Sequence, residues 1–292
     1  MPFELIPYRP RGRPPVSIED LDNVVGVIGN FKKKDIGGGK MQWIYKNLET
    51  GVHFLVLFDP GKKRQTYTDW NDSQLSIVVR LGKPSFFGYE AFPIIHQLLK
   101  NLNLGVLDPQ KTAMFKHPTR LTDEQMRISW EKNNLTEIKA LLTSGKAVVT
   151  APREKMDFFW RFMTLRKQMQ DSLGPDVLVP PINLHHAKDG SVKMSCIWPD
   201  ASKIVLPKVD YVFVTREEKK FLSKKKISGA VPFLEIVTIL KSKSKAKREP
   251  VTHILFDQNP DKDLFQKLSM LTLEPPNLYP RLSPDEIVEI DK

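Results

Sequence analysis

Four charged residues near the ends of strand-like segments are the first candidates for ligand chemistry in this sequence. Residues 75–110 and 209–260 each run from a β-branched strand with an Arg near its end, through a helix that begins with Gly and has Pro in its first turn, to a strand that ends in Asp. The Gly and Pro residues are Gly88 with Pro93, and Gly229 with Pro232. Open sheets often place ligand-binding side chains at such strand ends. Asp-Pro and Asp-Gln-Asn-Pro are also ordinary turn formers, so a turn is the favoured interpretation and a ligand site the alternative. The residues concerned are Arg80, Asp108, Arg216 and Asp257.

The N-terminal segment is basic and rich in proline, and it contains the run RPRGRP. This run resembles the AT-hook, a short minor-groove reader with an Arg-Gly-Arg-Pro core. An extended Arg-Gly-Arg fits the narrow groove of A·T-rich DNA, where the negative potential is high. Packing of the segment along a domain is the alternative. Since an exposed arm contributes little to a core, deletion of residues 1–15 is expected to leave the fold intact. The DNA-contact candidates are Arg9, Arg11, Gly12 and Arg13.

A second basic run, KSKSKAKR, precedes the strand-like segment VTHILF. Its cations could contact nucleic-acid phosphates. No aromatic residue interleaves with them, so a stacking platform for single strands is not indicated. A solvated loop is the favoured interpretation. The cations are Lys241, Lys243, Lys245, Lys247 and Arg248.

Sequence motifs for phosphate, metal and nucleophile chemistry are absent. Gly37-Gly38-Gly39-Lys40 resembles part of a phosphate-binding loop, but Lys34 stands where that motif requires its first Gly, and Met41 replaces its hydroxyl. Only His185 and His186 are adjacent histidines, and neighbouring side chains on a strand point to opposite faces. The sequence also lacks C-x-x-C, H-E-x-x-H and G-x-S-x-G. We therefore predict no cofactor, no intrinsic metal ion and no nucleotide hydrolysis.

The composition predicts a folded, basic protein with one large domain or two medium ones. The chain has 292 residues, 40% of them hydrophobic, and one cysteine, Cys196, which cannot form an internal disulfide. This is typical of a reducing compartment. The sequence offers neither the apolar core of a secretory signal nor the roughly 20 apolar residues of a membrane span. With a formal net charge of +11, we predict a soluble, cytoplasmic protein with an anionic partner and no membrane partner.

Hydrophobic periodicity and turn signals predict an α+β fold of two similarly built halves. Each half should contain an antiparallel hairpin and a strand-helix-strand unit. The hairpins are expected at 41–48 with 51–58, and within 180–198 around a turn at 188–190. The predicted organisation is a basic Pro/Arg arm at 1–20, a first unit at 21–150 and a second unit at 151–292, with a long helix, 154–173, at the junction. Further helices are predicted at about 88–101, from Thr122, from Asn134 and near 261–270, and a strand near 24–29.

Three segments, ETGVHFLVLF, PSFFGYEAF and LGVLDPQ, resemble a pattern found in an uncharacterised family of bacterial cytosolic proteins. The resemblance covers roughly the first 130 residues. It implies a bacterial origin and no assigned activity, so it assigns no functional residue.

Three classes of function remain open to the sequence. The leading hypothesis is a non-enzymatic binding protein that recognises a macromolecular partner, an acidic protein such as a toxin or effector. The alternative is a DNA-associated protein that uses the basic N-terminal run. The third is an enzyme whose site is assembled from scattered residues, because such a site needs no local motif. The sequence leaves the oligomeric state open.

Overall fold

The computed structural model describes residues 2–110, 117–145, 147–220, 223–275 and 280–291. Contacts within the chain divide it into two compact units, Met1–Val148 and Val149–Lys292. Both units combine helices with antiparallel strand pairs, which confirms the predicted α+β class.

The first unit is built on one large sheet. Among the described residues the sheet has seven strands, in the order β2-β3-β4-β6-β1-β5, with β7 also paired to β1. Its elements are β1 (Phe3–Pro10), α1 (Ile18–Ile28), β2 (Phe31–Gly37), β3 (Lys40–Lys46), β4 (His53–Phe58), β5 (Trp70–Asp72), β6 (Leu75–Val79), α2 (Phe86–Asn101), β7 (Gly105–Leu107) and α3 (Asp123–Thr143). The predicted hairpin of β3 and β4 is confirmed by their antiparallel register.

The N-terminal segment is a strand inside this sheet and not an exposed arm. β1 pairs antiparallel with β6, with β7 and with β5 along successive parts of its length. Phe3 and Leu5 are 0% exposed and Tyr8 is 1% exposed. The predicted arm at 1–20 is therefore wrong, because these large apolar side chains outweigh the proline and arginine residues that follow them.

The strand predicted near 24–29 is also wrong, because α1 covers this region. The hydroxyl of Ser17 accepts a hydrogen bond from the Asp20 amide at 3.0 Å, and the Asp20 carboxylate accepts one from the Ser17 amide at 2.9 Å. This reciprocal cap satisfies amide groups at the start of a helix. Leu21 and Val25 form its buried stripe. The cap and the helical spacing outweigh the β-branched pair Val24-Val25.

Helices α2 and α3 pack closely against each other in the first unit. The capping box of Thr122 and Gln125 confirms the predicted start of α3. The second helix predicted from Asn134 is instead the continuation of α3. The side-chain oxygen of Asn134, a buried residue, accepts hydrogen bonds from the amides of Gly82 and Lys83 at 2.8 and 3.1 Å. Asn134 therefore fixes the loop that leads into α2 and does not cap a new helix.

The contact between α2 and α3 depends on Gly88. A Cβ atom at this position would lie 2.9 Å from the indole ring of Trp130. We expect Gly88→Ala to lower the free energy of unfolding of the first unit by about 1–3 kcal/mol, since the buried indole must move. Gly26 in α1 provides the matched control, because nothing lies within 4 Å of a Cβ atom placed there. Gly26→Ala should stabilise the helix by up to about 1 kcal/mol. Urea denaturation of the two variants checks the opposite signs, and equal effects would contradict the proposed packing.

The second unit contains several smaller sheets. Among the described residues these are a five-stranded sheet in the order β13-β12-β10-β9-β16, a three-stranded sheet in the order β11-β15-β14, and the pair β17-β8. The elements are β8 (Val149–Pro152), α4 (Arg153–Leu173), β9 (Asn183–His186), β10 (Val192–Trp198), β11 (Ile204–Pro207), β12 (Tyr211–Lys220), β13 (Ser223–Pro232), α5 (Phe233–Leu240), β14 (Lys245–Lys247), β15 (His253–Phe256), α6 (Lys262–Ser269), β16 (Arg281–Leu282), a 3₁₀ helix (Pro284–Glu286) and β17 (Ile287–Ile290).

Sequence patterns located the main elements of this unit. The long helix predicted at 154–173 is α4, and the helix predicted near 261–270 is α6. The hairpin predicted within 180–198 is confirmed by the antiparallel pairing of β9 with β10.

The two segments that suggested an internal repeat do not share a strand order. In the first unit, β6 and β7 both pair with β1. In the second unit, β12 forms a hairpin with β13. The strand that Asp257 follows is β15, and it pairs with β11 and β14 in another sheet. The predicted common path of residues 75–110 and 209–260 is therefore wrong. The Gly and Pro landmarks fall in different elements, since Gly88 and Pro93 lie inside α2 whereas Gly229 lies in β13 and Pro232 precedes α5.

Candidate functional site

The charged strand-end residues of the first unit take separate local roles. Arg80 is exposed, and its backbone carbonyl accepts a hydrogen bond from the Trp130 indole at 3.1 Å. Asp108 is only 2% exposed. Its carboxylate accepts hydrogen bonds from the Gln110 amide, at 2.9 Å, and from the hydroxyl of Ser129 on α3. These contacts agree with the turn interpretation, because the carboxylate organises the chain after β7.

The strand-end residues of the second unit are also engaged locally. Arg216 donates hydrogen bonds to the carbonyls of Leu268 and Leu271 at 2.6 and 2.9 Å, so it caps the C-terminal end of α6. Asp257 forms an ion pair with Lys245 at 3.1 Å. Arg216 and Asp257 thus have different partners, and neither of these contacts joins one to the other.

The N-terminal basic run forms a turn at the end of β1. Arg9 is half-buried and donates a hydrogen bond to the carbonyl of Leu102. Arg11, Gly12 and Arg13 are exposed. Gly12 has a φ of +81°, which glycine adopts readily and which places the run in a turn and not in an extended conformation. The guanidinium groups of Arg11 and Arg13 thus face solvent, whereas that of Arg9 is held by the fold.

The second basic run is partly neutralised. Lys243 pairs with Asp261 and Asp263 at 2.5 and 3.0 Å, and the hydrogen bonds that its ammonium donates to these carboxylates raise the pKa of Lys243. Lys245 pairs with Asp257. The loop interpretation is wrong for Lys245–Lys247, which form the strand β14, paired with β15. The exposed cations of the run without such a pair among the described residues are Lys241, Lys247 and Arg248.

A cleft on the five-stranded sheet of the second unit brings together a polar cluster that sequence analysis did not predict. Its volume is about 420 Å³. All five strands contribute to it, because residues two apart on each strand lie on the same face. The register aligns His185 with Arg281, and Thr215 with Ser228. The described lining residues are Asn183, His185, Ser195, Ile197, Phe213, Thr215, Ser228 and Arg281.

At the base of the cleft, a hydrogen bond joins the neighbouring strands β9 and β10. His185 Nε2 lies 2.7 Å from the hydroxyl oxygen of Ser195, and the two residues are 5% and 1% exposed. The distance would suit a nucleophile and its base. The burial of Ser195 in the middle of β10, however, leaves its hydroxyl little access to a substrate. The following residue, Cys196, is 0% exposed, and burial raises the pKa of its thiol, so it is not a thiolate at neutral pH.

The walls of the cleft combine apolar and hydroxyl groups. Ile197 is 42% exposed and lies opposite Phe213 in the register of β10 and β12. The hydroxyl oxygens of Thr215 and Ser228 are 3.0 Å apart. An apolar group can thus lie on Ile197 and Phe213 while its polar neighbours reach the hydroxyls. This combination is typical of binding pockets.

Arg281 provides positive charge to the cleft. It is exposed, and among the residues that the structure describes its guanidinium has no ion-pair or hydrogen-bond partner. None of the described lining residues is acidic. Among the described residues, the charge of Arg281 is thus uncompensated, and such a cation attracts an anionic group.

No metal-binding group was located in the described part of the chain. No three or more His, Cys, Asp or Glu side chains are grouped there so as to hold a metal ion. His185 and His186 lie next to each other on β9. Likewise, no helix among the described residues is long and apolar enough to cross a membrane.

Comparison with known proteins found no relative from which a function could be inferred. The chain matches no family model, no curated protein and no solved structure. The resemblance of ETGVHFLVLF, PSFFGYEAF and LGVLDPQ to a bacterial family therefore stays a prediction.

Sequence reasoning missed the cleft because its residues come from five separate strands. A local signal did exist in NLHH and VKMSCIW, where Asn183, His185 and Ser195 alternate with the apolar Leu184, Met194 and Cys196. Such alternation indicates a strand with one polar face. It does not indicate which strands are neighbours, and the position of Arg281 beside His185 depends on that pairing.

Proposed function

We propose that this protein is a non-enzymatic, cytosolic binding protein that takes an acidic segment of a partner protein into the sheet cleft of its second unit. The observation that carries this proposal is Arg281, an exposed guanidinium beside a cleft whose described lining residues include no carboxylate. The net charge of +11 agrees in sign with an acidic partner.

The chemistry of the cleft suits an acidic side chain next to an apolar one. A guanidinium can bind a carboxylate through two parallel hydrogen bonds. Ile197 and Phe213 offer an apolar surface, and Thr215, Ser228 and Asn183 offer hydrogen bonds. A volume of about 420 Å³ is near the small end of the usual range for ligand pockets, so it suits one or two side chains of a partner.

A binding role is favoured over an enzymatic one. The hydrogen bond between His185 and Ser195 resembles a catalytic pair in distance alone, since Ser195 is 1% exposed. Amides within a paired strand also bond to the neighbouring strands, so they are poorly placed to stabilise an oxyanion. We infer that this pair orients the base of the cleft.

A DNA-associated function is the second candidate, and the exposure of Arg11 and Arg13 favours it. Since Arg9 is held by Leu102, DNA binding by this turn would use fewer cations than the sequence suggested. Each lost phosphate contact reduces the slope of log affinity against log salt by about 0.9.

Capture from a host lysate by purified variants tests the proposal. We expect the wild type and Arg248→Glu to retain the same acidic protein, and Arg281→Glu to lose it by about tenfold or more, because only Arg281 lies in the cleft. Arg248 is a matched control, as it is an exposed arginine of the same unit and undergoes the same change of charge. Protein abundance after capture, with and without nuclease, is the measurement.

Two other outcomes assign the function differently. If nuclease removes the captured protein, nucleic acid bridges the two proteins and the DNA-associated function moves to first place. If capture is equal for Arg281→Glu and Arg248→Glu, the cleft is not the binding site.

A further inference from the structure

We infer that the partner segment continues beyond the first cleft and places an apolar side chain against Phe265 in a second cleft. This inference rests on the proposed function and adds the chemistry of the bound segment. The second cleft has a volume of about 390 Å³ and includes Phe265, Arg216 and Lys226. Thr215 lines both clefts, so they adjoin each other.

Phe265 is the apolar anchor that a partner would use. It lies on α6 and is 50% exposed, whereas Leu264 and Leu268 on the same helix are 0% and 6% exposed. The buried pair holds α6 against its unit, so the helix does not need Phe265 for packing. Aromatic side chains, Phe among them, are enriched at protein interfaces relative to the rest of the protein surface.

The wall that carries Phe265 is held in place by several contacts. Arg216 donates hydrogen bonds to the carbonyls of Leu268 and Leu271, which fixes the end of α6. Asp200 and Ala201, which also line the cleft, have φ values of 47° and 55°. Two consecutive left-handed residues other than glycine are energetically costly, and such strain often persists at binding sites. The second cleft is thus largely preformed.

The cation in the second cleft can accept a partner carboxylate. Lys226 pairs with Asp200 at 3.1 Å, and their side chains are 61% and 55% exposed. An ion pair so open to solvent is weak, because water screens it. Lys226 can therefore contact a carboxylate of the partner without a large loss of stability. Together the two clefts select an extended segment with an acidic residue for Arg281, an apolar residue for Phe265 and a second acidic residue near Lys226.

A random peptide library displayed on phage tests this inference on the full-length protein. We expect selection on the wild type to enrich peptides that combine Asp or Glu with an aromatic or large aliphatic residue. Synthetic versions of the enriched peptides should bind Phe265→Ala about tenfold or more weakly, and Phe265→Leu should restore part of the loss. Leu234→Ala is the matched control, since Leu234 is also an exposed apolar residue, 75% exposed on α5, and lies outside both clefts. Binding to this variant should stay within about twofold.

The outcomes separate this inference from the proposed function. Peptides that depend on Arg281 but bind Phe265→Ala as well as the wild type would overturn the second anchor and leave the first cleft supported. If the selection yields no peptide whose binding depends on Arg281, both the proposed function and the second anchor are overturned. Folding of each variant is checked by the buried thiol of Cys196, which should stay unreactive toward a thiol reagent as in the wild type.

Discussion

Deletion of residues 1–15 is expected to unfold the first unit. The deletion removes all of β1, which pairs with β5, β6 and β7. It also removes Phe3, Leu5 and Tyr8, which are at most 1% exposed. Loss of one such side chain costs about 2–5 kcal/mol, so three together match or exceed the roughly 5–15 kcal/mol that stabilise a typical domain. Hydrogen exchange followed by mass spectrometry should show loss of protection in β4, β6 and α2.

The double variant Arg11→Ala/Arg13→Ala is the control for this deletion. Both residues are exposed in the turn after β1, so their removal should change the free energy of unfolding by no more than about 1 kcal/mol. A deletion variant that retains protection in β6 would contradict the central position of β1. It would also support the prediction of an exposed N-terminal arm. Only in that case could deletion of residues 1–15 test DNA binding without unfolding the protein.

Arg64→Met is expected to destabilise the first unit by about 3–5 kcal/mol, because it leaves a carboxylate without its main cation in a largely buried place. The guanidinium of Arg64 lies 3.1 Å from Asp72, and it donates a hydrogen bond to the hydroxyl of Ser76 at 2.5 Å. The side chains of Arg64 and Asp72 are 7% and 12% exposed. Methionine keeps a long apolar stem, so the variant tests the charge more than the packing.

Lys62→Met is the matched control, since it removes a cation from the same loop. Lys62 lies 3.4 Å from Glu4, and its side chain is 46% exposed. Exposed ion pairs contribute about 0–1 kcal/mol, so this change should be small. Urea denaturation monitored by hydrogen exchange in β5 and β6 compares the two variants. Equal effects would show that burial of the Arg64 pair does not matter for stability.

Local sequence determined most of the helices and hairpins. Capping at Thr122 and the apolar stripe of α4 act within a few residues, so they can be identified without knowledge of the fold. The β3-β4 and β9-β10 hairpins were predictable for the same reason. The cap at Ser17 is equally local, and it indicates a helix in the region where a strand was predicted near 24–29.

A local pattern can also suggest one partner for a polar side chain that is in fact hydrogen-bonded to a residue distant in sequence. Asn134 with Glu137 reads as a helix cap, but the Asn134 side chain bonds to Gly82 and Lys83, which are distant in sequence. Arg9 reads as a DNA contact, but it donates to the Leu102 carbonyl. A sequence lists donors and acceptors without their distant partners, so such residues remain ambiguous until the fold is known.

The α+β class, the basic character and the polar alternation of β9 and β10 were determined by the sequence alone, because composition and periodicity are local properties of the chain. Only the tertiary structure decided that β1 is a central strand and that His185, Ser195 and Arg281 share one cleft. Arg281 is far from His185 in the chain and reaches it through the pairing of β16 with β9. Strand pairing depends on the packing of whole sheets and on hydrogen bonds between distant residues, and no local pattern specifies either.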